Sequence, residues 1–257
     1  MGRGRGPAAL TMPRAWRAYH PGLVAERGVT IELSADEAHH IRRVLRLAVG
    51  EILSVFDGAG VEWACVVERS AAQGVSVRLV SPVHEPVEPI LSVRLFHALC
   101  RPEATDSVVR KATEVGVASI HLVPAERSEA GRPSPARLER WSRIAVAACK
   151  QCGRRVVPPV ALVDRLPAVD PGVRGLLLDP DPSRPTIGSS LAVGEPCPVA
   201  LAVGPEGGFA ADEVARAIDG GWCAVTLGPR TLRTETAAVV AVAIVLHAWG
   251  DLGPRQV

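Results

Sequence analysis

Residues 222–250 read "WCAVTLGPRTLRTETAAVVAVAIVLHAWG": a short β-prone burst, a polar knuckle carrying Arg230 and Arg233, then almost pure hydrocarbon. The burst has the length of a strand and the final run that of a helix, so the segment is a strand, a loop and a buried helix. The most apolar part, Ala237 to Leu246, falls short of the roughly 18–20 residues that cross a bilayer. It predicts burial within protein and no membrane partner. Thr234 or Thr236 stands where a hydroxyl caps a helix N-terminus. Capping leaves the arginines unexplained, because that end of a helix favours anions and opposes cations. Something negative is expected to meet Arg230 and Arg233.

The same alternation runs upstream. "LSVRLFHAL" (91–99) reads as a strand, "EATDSVVRKATEVG" (103–116) as a helix, and "ASIHLV" (118–123) as a strand. "PARLERWSRIAVAACKQCG" (135–153) is a helix stopped by Gly153, and "GLLLD" (175–179) is again a strand. Alternation of this kind predicts an α/β domain with a largely parallel sheet, whose ligands sit beyond the carboxyl ends of the strands. "PVALAVGPEGGF" (198–209) is a second strand end of interest, since Gly204, Gly207 and Gly208 allow a backbone to approach a ligand closely. If the chain is an enzyme, its site lies between these two loops. The glycine spacing is neither G-x-G-x-x-G nor G-x-x-x-x-G-K-[ST], and no paired zinc ligands appear, which disfavours Rossmann, P-loop and metal chemistry.

Ahead of the proline-rich "SPVHEPVEPI" (81–90), residues 29–80 alternate in short bursts separated by "DGAG" and "AAQG" turns, the pattern of a small β-rich domain. One helix interrupts it, opened by Ser34 with Glu37 at capping-box spacing and continued by "AHHIRRVLRL" (38–47). On helical spacing His39, Arg42, Arg43 and Arg46 share one face, and Ala38, Ile41, Val44 and Leu45 another. The arginine face fits either a solvated surface or a phosphate-binding one.

A chain of 257 residues, 47% of them hydrophobic, is long enough for one large or two modest domains. The formal net charge of +2 lacks the bias of a strong polyanion binder, so any such surface is local. The N-terminus, "MGRGRGPAALTMPRAWRAYHPG", has no apolar signal core, which points to the cytoplasm. Six cysteines in that setting are expected as free thiols, and Cys149 and Cys152 as helix packing.

"PRAWRAYHP", "HHIRRVLRL", "RKATEVGV", "AACKQCGRRVVP", "GPEGGF" and "LGPRTLRTETAA", taken in this order, resemble the bacterial 16S ribosomal RNA uridine-N3 methyltransferases of the SPOUT class. The resemblance runs from about residue 13 to 252. It implies an N-terminal PUA-like β-barrel RNA-binding domain over 1–84 and a SPOUT methyltransferase domain over 85–257, an α/β fold with a C-terminal trefoil knot. It implies S-adenosylmethionine as cofactor, 16S rRNA of the small ribosomal subunit as partner, and a homodimer through the SPOUT domain. It places the cofactor against Leu178, Val203, Gly204, Pro205, Glu206, Gly207, Gly208, Leu227, Gly228, Leu232 and Thr236. Arg233 would stabilise the uracil anion, and Glu235 or Glu206 would accept a proton. Arg14, His40, Arg43, Arg46, Arg127 and Arg154 would contact RNA. Pro102 and Ala104 depart from the family's Gly and Lys, and Ala210 from its serine. Two other readings stay open: a related enzyme acting on a different RNA site, and an RNA-binding assembly factor without catalysis.

Overall fold

The structure is a computed structural model that describes residues 16–253. Arg14 lies outside the described residues. The chain divides into two units: one runs to Val87 and takes in Gly153–Val156, the other holds Glu88–Cys152 and the chain from Val157 onward.

The first unit is a five-stranded sheet of β1 (Arg17–Tyr19), β2 (Thr30–Glu32), β3 (Ile52–Phe56), β4 (Glu62–Ala71) and β5 (Gly74–Pro82) in the order β1-β3-β4-β5-β2. β1 pairs parallel with β3 and the other pairs are antiparallel. The alternation of β3, β4 and β5 puts Leu53, Val55, Val67, Val77 and Leu79 into one core with Ile41. Helix α1 (Ala35–His39) starts where the Ser34 hydroxyl accepts the Glu37 N–H at 3.3 Å. The chain then widens into a π-helical turn, His40–Leu45, and closes at Arg46 in the left-handed region, φ 57°. A π turn carries more residues than an α turn, so the 3.6-residue spacing fails here. Ile41 is buried as expected, but Val44 turns out to solvent at 63% exposure.

A polar knot of charges lies in this core. Glu62 accepts from Arg17 Nε at 2.9 Å and from the Ser54 hydroxyl at 2.6 Å on one oxygen, and from Arg155 Nε at 2.9 Å on the other. Arg17 also donates to the Arg154 carbonyl at 3.0 Å, and its guanidinium stands 4.4 Å from the Phe56 ring centre. Burial alone would push the Glu62 carboxyl up. The hydrogen bonds of Arg17 and Ser54, the Arg17 charge and the Arg155 bond together hold it below the usual carboxylate range.

The second unit is a six-stranded, wholly parallel sheet: β6 (Val93–Ala98), β7 (Ser119–Val123), β8 (Val160–Leu162), β9 (Arg174–Leu178), β10 (Val199–Val203) and β11 (Cys223–Val225), ordered β11-β9-β10-β6-β7-β8. On one face α2 (Pro102–Val115) packs against α3 (Pro135–Cys152) and against α6 (Thr234–Trp249), and α6 also meets α4 (Ile187–Leu191). Leu95, Leu122, Leu201, Val245 and Leu246 form that core. The other face is covered by α5 (Ala211–Asp219), over Phe96, Ala200, Ala202 and Trp222. Pro102 opens α2 at a position whose N–H has no helical partner in any case, so it suits a helix start. Arg101 just before it pairs with Glu129 at 2.9 Å.

Candidate active site

The sheet order reverses between β6 and β10: the chain builds outward through β7 and β8, then returns to the opposite side with β9, β10 and β11. Such a switch point leaves a crevice beyond the strand ends. Here the carboxyl ends of β9, β10 and β11 enclose a cleft of about 290 Å³. Leu178, Asp179 and Pro180 form one wall, Val203 to Glu206 with Gly208 a second, and Thr226 to Gly228 with Arg230 to Thr234 and Ala237 the third. A larger hollow of about 540 Å³ opens beside α5, over Val123 and Phe209. Its carboxylates are committed elsewhere: Asp164 pairs with Arg132 at 2.8 Å, and Glu213 accepts the N–H groups of Ala210 and Glu126 at 2.8 and 3.0 Å. The smaller cleft lies at the carboxyl ends of three parallel strands, where ligands of such sheets gather.

Two glycines shape it. A Cβ on Gly204 would stand 3.0 Å from the Phe209 nitrogen and 3.2 Å from the Gly208 carbonyl carbon, so the loop folds back on itself with no room for a side chain. Gly228 adopts φ 103°, which an L side chain rarely adopts, and turns the chain out of the β11 end. Beyond it Arg230 and Arg233 are exposed at the cleft wall, and neither has an ion-pair partner among the described residues. Arg233 is the N-cap residue of α6 and makes no side-chain capping bond, so the first-turn amides of this helix meet the cleft without a cap.

Neither threonine caps α6, contrary to the sequence reading. Thr234 is buried, and its hydroxyl donates instead to the Gly204 carbonyl at 2.7 Å while lying 3.2 Å from His97 Nε2. Thr236 points to solvent and takes no part in the cleft wall, because a residue two positions into a helix turns about 200° away from the first. Gly207 is likewise outside the wall. It lies under Arg127, whose guanidinium donates to the Gly207 carbonyl at 2.9 Å, so the arginine expected on RNA here braces the glycine loop. Arg154 is buried at 5% exposure within the first unit, a position closed to a nucleic-acid surface. Arg43 and Arg46 are exposed and His40 is half-buried.

The remaining expected cofactor positions, Leu178, Val203, Gly204, Pro205, Glu206, Gly208, Leu227, Gly228 and Leu232, all line the cleft with Arg233. Of the two carboxylates, exposed Glu206 is in the wall, whereas half-buried Glu235 is not. Both are felt at the end of β6: burial, then the charges of Glu206 and Glu235, push the Cys100 thiol up to about 11. Asp179, Pro180, Thr226, Thr231 and Ala237 were not anticipated. The first two directly follow a strand, and the rule that ligands gather at strand carboxyl ends could have found them. Among the described residues there is no group of three or more His, Cys, Asp or Glu that could hold a metal ion.

The model of the RNA methyltransferase domain matches residues 87–246, and that of the RNA methyltransferase PUA domain matches residues 33–80. Ribosomal RNA small subunit methyltransferase E of Synechocystis is 34% identical over 92% of this chain and 82% of its own length. The Mycobacterium bovis protein of the same name is 32% identical over 88% and 90%. A Legionella pneumophila methyltransferase solved with its bound cofactor SAM superposes with a TM-score of 0.84 at 32% identity, covering 93% of this chain and all 100% of that one. The Neisseria gonorrhoeae ribosomal RNA small subunit methyltransferase E, bound to S-adenosyl methionine, gives 0.83 at 27% identity over 91% and 98%. The chain belongs to the family of ribosomal RNA small subunit methyltransferase E.

Proposed function

We propose that this protein methylates N3 of a uridine in 16S rRNA of the small ribosomal subunit, using S-adenosylmethionine held in the 290 Å³ cleft. The observation that carries this reading is the pair of guanidiniums Arg230 and Arg233, without acidic partners among the described residues, beside a loop in which Gly204 has no room for a side chain. The cleft residues fit the cofactor: Gly204 lets the loop fold tightly along the cleft, Gly228 leaves open space beside the backbone, Leu178, Leu227 and Leu232 supply apolar surface, and the uncapped start of α6 favours a carboxylate. When bound, S-adenosylmethionine supplies an electrophilic methyl group on a sulfonium. Loss of the N3 proton leaves negative charge on the flanking uracil oxygens, and Arg233 stabilises it electrostatically. Glu206, the carboxylate in the wall, accepts the proton, and Glu235 stands behind it as the alternative. N3 is hidden in a base pair, so the target nucleotide is unpaired or flipped out.

The first unit would grip the surrounding RNA, with exposed Arg43 and Arg46 beside half-buried His40 as its contacts. The route of the chain supports a trefoil knot: β11 lies beyond β9 at the sheet edge, yet Thr234 returns to bond the loop of β10. A homodimer through α6 would cover Val239, Val240 and Ala243, which are only half-buried on an almost wholly apolar helix. We place the reaction in the cytoplasm; among the described residues no helix is long and apolar enough to cross a membrane.

The test incubates the protein with labelled S-adenosylmethionine and small subunits lacking the modification, and maps the product by nucleoside mass spectrometry. A 3-methyluridine at one site is expected. Arg233→Ala should lower kcat by roughly 10²–10³-fold while leaving cofactor affinity within a few-fold. Methyl on another atom would overturn the uridine assignment, and cofactor binding without transfer would favour an assembly factor.

A further inference from the structure

We infer that His97 and Thr234 are positioning residues of the cofactor loop, acting together to fix the Gly204 carbonyl. The inference rests on the cleft being the S-adenosylmethionine site. His97 sits on β6 directly opposite Val203 of β10, with none of its surface exposed. Thr234 begins α6 and is also buried. A hydroxyl has one proton, and the 2.7 Å contact commits that of Thr234 to Gly204. The 3.2 Å contact is then a bond donated by His97 Nε2–H to the Thr234 oxygen, which fixes the ring as the Nε2–H tautomer. Nδ1 is left as an acceptor, buried and with no hydrogen-bond partner among the described residues. Burial also pushes the imidazole down to about 4, so the ring is neutral at working pH.

One feature of this relay makes no sense as simple packing. The histidine leaves a polar atom unsatisfied in the core, where an apolar ring would leave none. Thr234 is the first residue inside α6, one position past the N-cap Arg233, and its hydroxyl reaches out of its own helix to the loop of β10. Both serve one end: with His97 donating to its oxygen, Thr234 gives its proton to the Gly204 carbonyl. Because the loop at Gly204 is already in tight contact with Phe209 and Gly208, fixing that carbonyl fixes the path of the loop against the cofactor.

The experiment compares wild type, His97→Phe, His97→Gln, Thr234→Val and Thr234→Ser for melting temperature, S-adenosylmethionine Kd by calorimetry, and kcat for methyl transfer. Loss of one hydrogen bond from the relay should weaken cofactor affinity by roughly 3–10-fold in His97→Phe and Thr234→Val. The melting temperature of His97→Phe should be equal to or above that of wild type. His97→Gln and Thr234→Ser keep the donors and should recover most of the affinity, and the double variant His97→Phe/Thr234→Val should be no weaker than either single one. If wild type does not bind S-adenosylmethionine, the cleft reading fails; if it binds and His97→Phe binds equally well, the positioning role fails. A separate measurement needs no variant to fold: ¹⁵N spectra of wild type should report His97 protonated at Nε2 alone, and a proton on Nδ1 would overturn the proposal.

Discussion

Each unit buries a polar cluster, and these two are built on opposite lines. In the first, a carboxylate meets two guanidiniums and a hydroxyl, and both oxygens of Glu62 are engaged. In the second, His97, Thr234 and the Gly204 carbonyl form a neutral chain that ends in an unpartnered ring nitrogen. Charge in a core is tolerated when paired and hydrogen-bonded throughout, and it then holds strands where they are. A cluster left unsatisfied beside a cleft marks a place where stability has yielded to placement of a loop.

The comparison breaks most easily at Glu62. Glu62→Ala removes the carboxylate shared by buried Arg17 and Arg155, of which Arg155 keeps only the longer 3.6 Å contact to Glu85, and should lower the unfolding free energy by about 3–5 kcal/mol, read by urea denaturation through the buried Trp63. A loss below about 1 kcal/mol would mean that the network behaves as a solvated pair, and the contrast would collapse.

Acid should separate the two clusters in pH. His97 is held at about 4 against an ordinary 6.5, so the unfolded chain binds its proton more readily. Stability is complete above about pH 6.5 and falls as pH drops toward about 4, by about 3 kcal/mol in all. His121, also held low by burial and by Arg94, adds a contribution of the same sign. Glu62 works in a lower window: its carboxyl is below the ordinary 4.5, so its contribution is complete above that value and disappears only as pH falls through the lowered one. Denaturation midpoints should therefore slope between about pH 6.5 and about pH 4.5 in wild type and lose most of that slope in His97→Phe. An identical slope in the variant would show that His97 titrates normally.

The smallest effect sharpens the role of burial. Arg69 and Glu32 pair on the same sheet as Glu62, but their side chains are 44% and 60% exposed. Glu32→Ala should change stability by less than about 1 kcal/mol in the same assay, with its effect screened further by salt.

The parallel sheet was legible because β6, β7, β9 and β10 are short, mostly apolar bursts that alternate with helical segments, a pattern that local sequence carries. β1, β8 and β11 have three residues each, and α4 only five. Strands that short exist through their partners: β1 and β8 were missed, and β11 was legible only within "WCAVTL". The cleft was legible at Gly204 to Gly208 and at the knuckle, where glycines and unexplained arginines interrupt the apolar text. Thr234 was misread because capping is a local rule, whereas its acceptor lies 30 residues upstream. Arg154 was misread for a like reason, since nothing in "CGRRVVP" tells that both arginines turn inward. The exposed Val44 reflects a change of helical period within one turn, which a fixed 3.6-residue wheel passes over.

Glu62 and Arg155 are separated by 93 positions, and Arg17 and the Arg154 carbonyl by 137. The first unit thus cannot finish folding when its own strands have left the ribosome. At 5–20 residues per second, roughly 5 to 20 s pass between the synthesis of Glu62 and that of its second guanidinium. For that interval the nascent sheet carries a carboxylate with one oxygen lacking its guanidinium donor, and a fragment ending at Val87 would carry it permanently. Completion of the N-terminal unit is therefore timed by the α/β segment that follows it, and every chain with a finished first unit has already made β6, α2, β7 and α3.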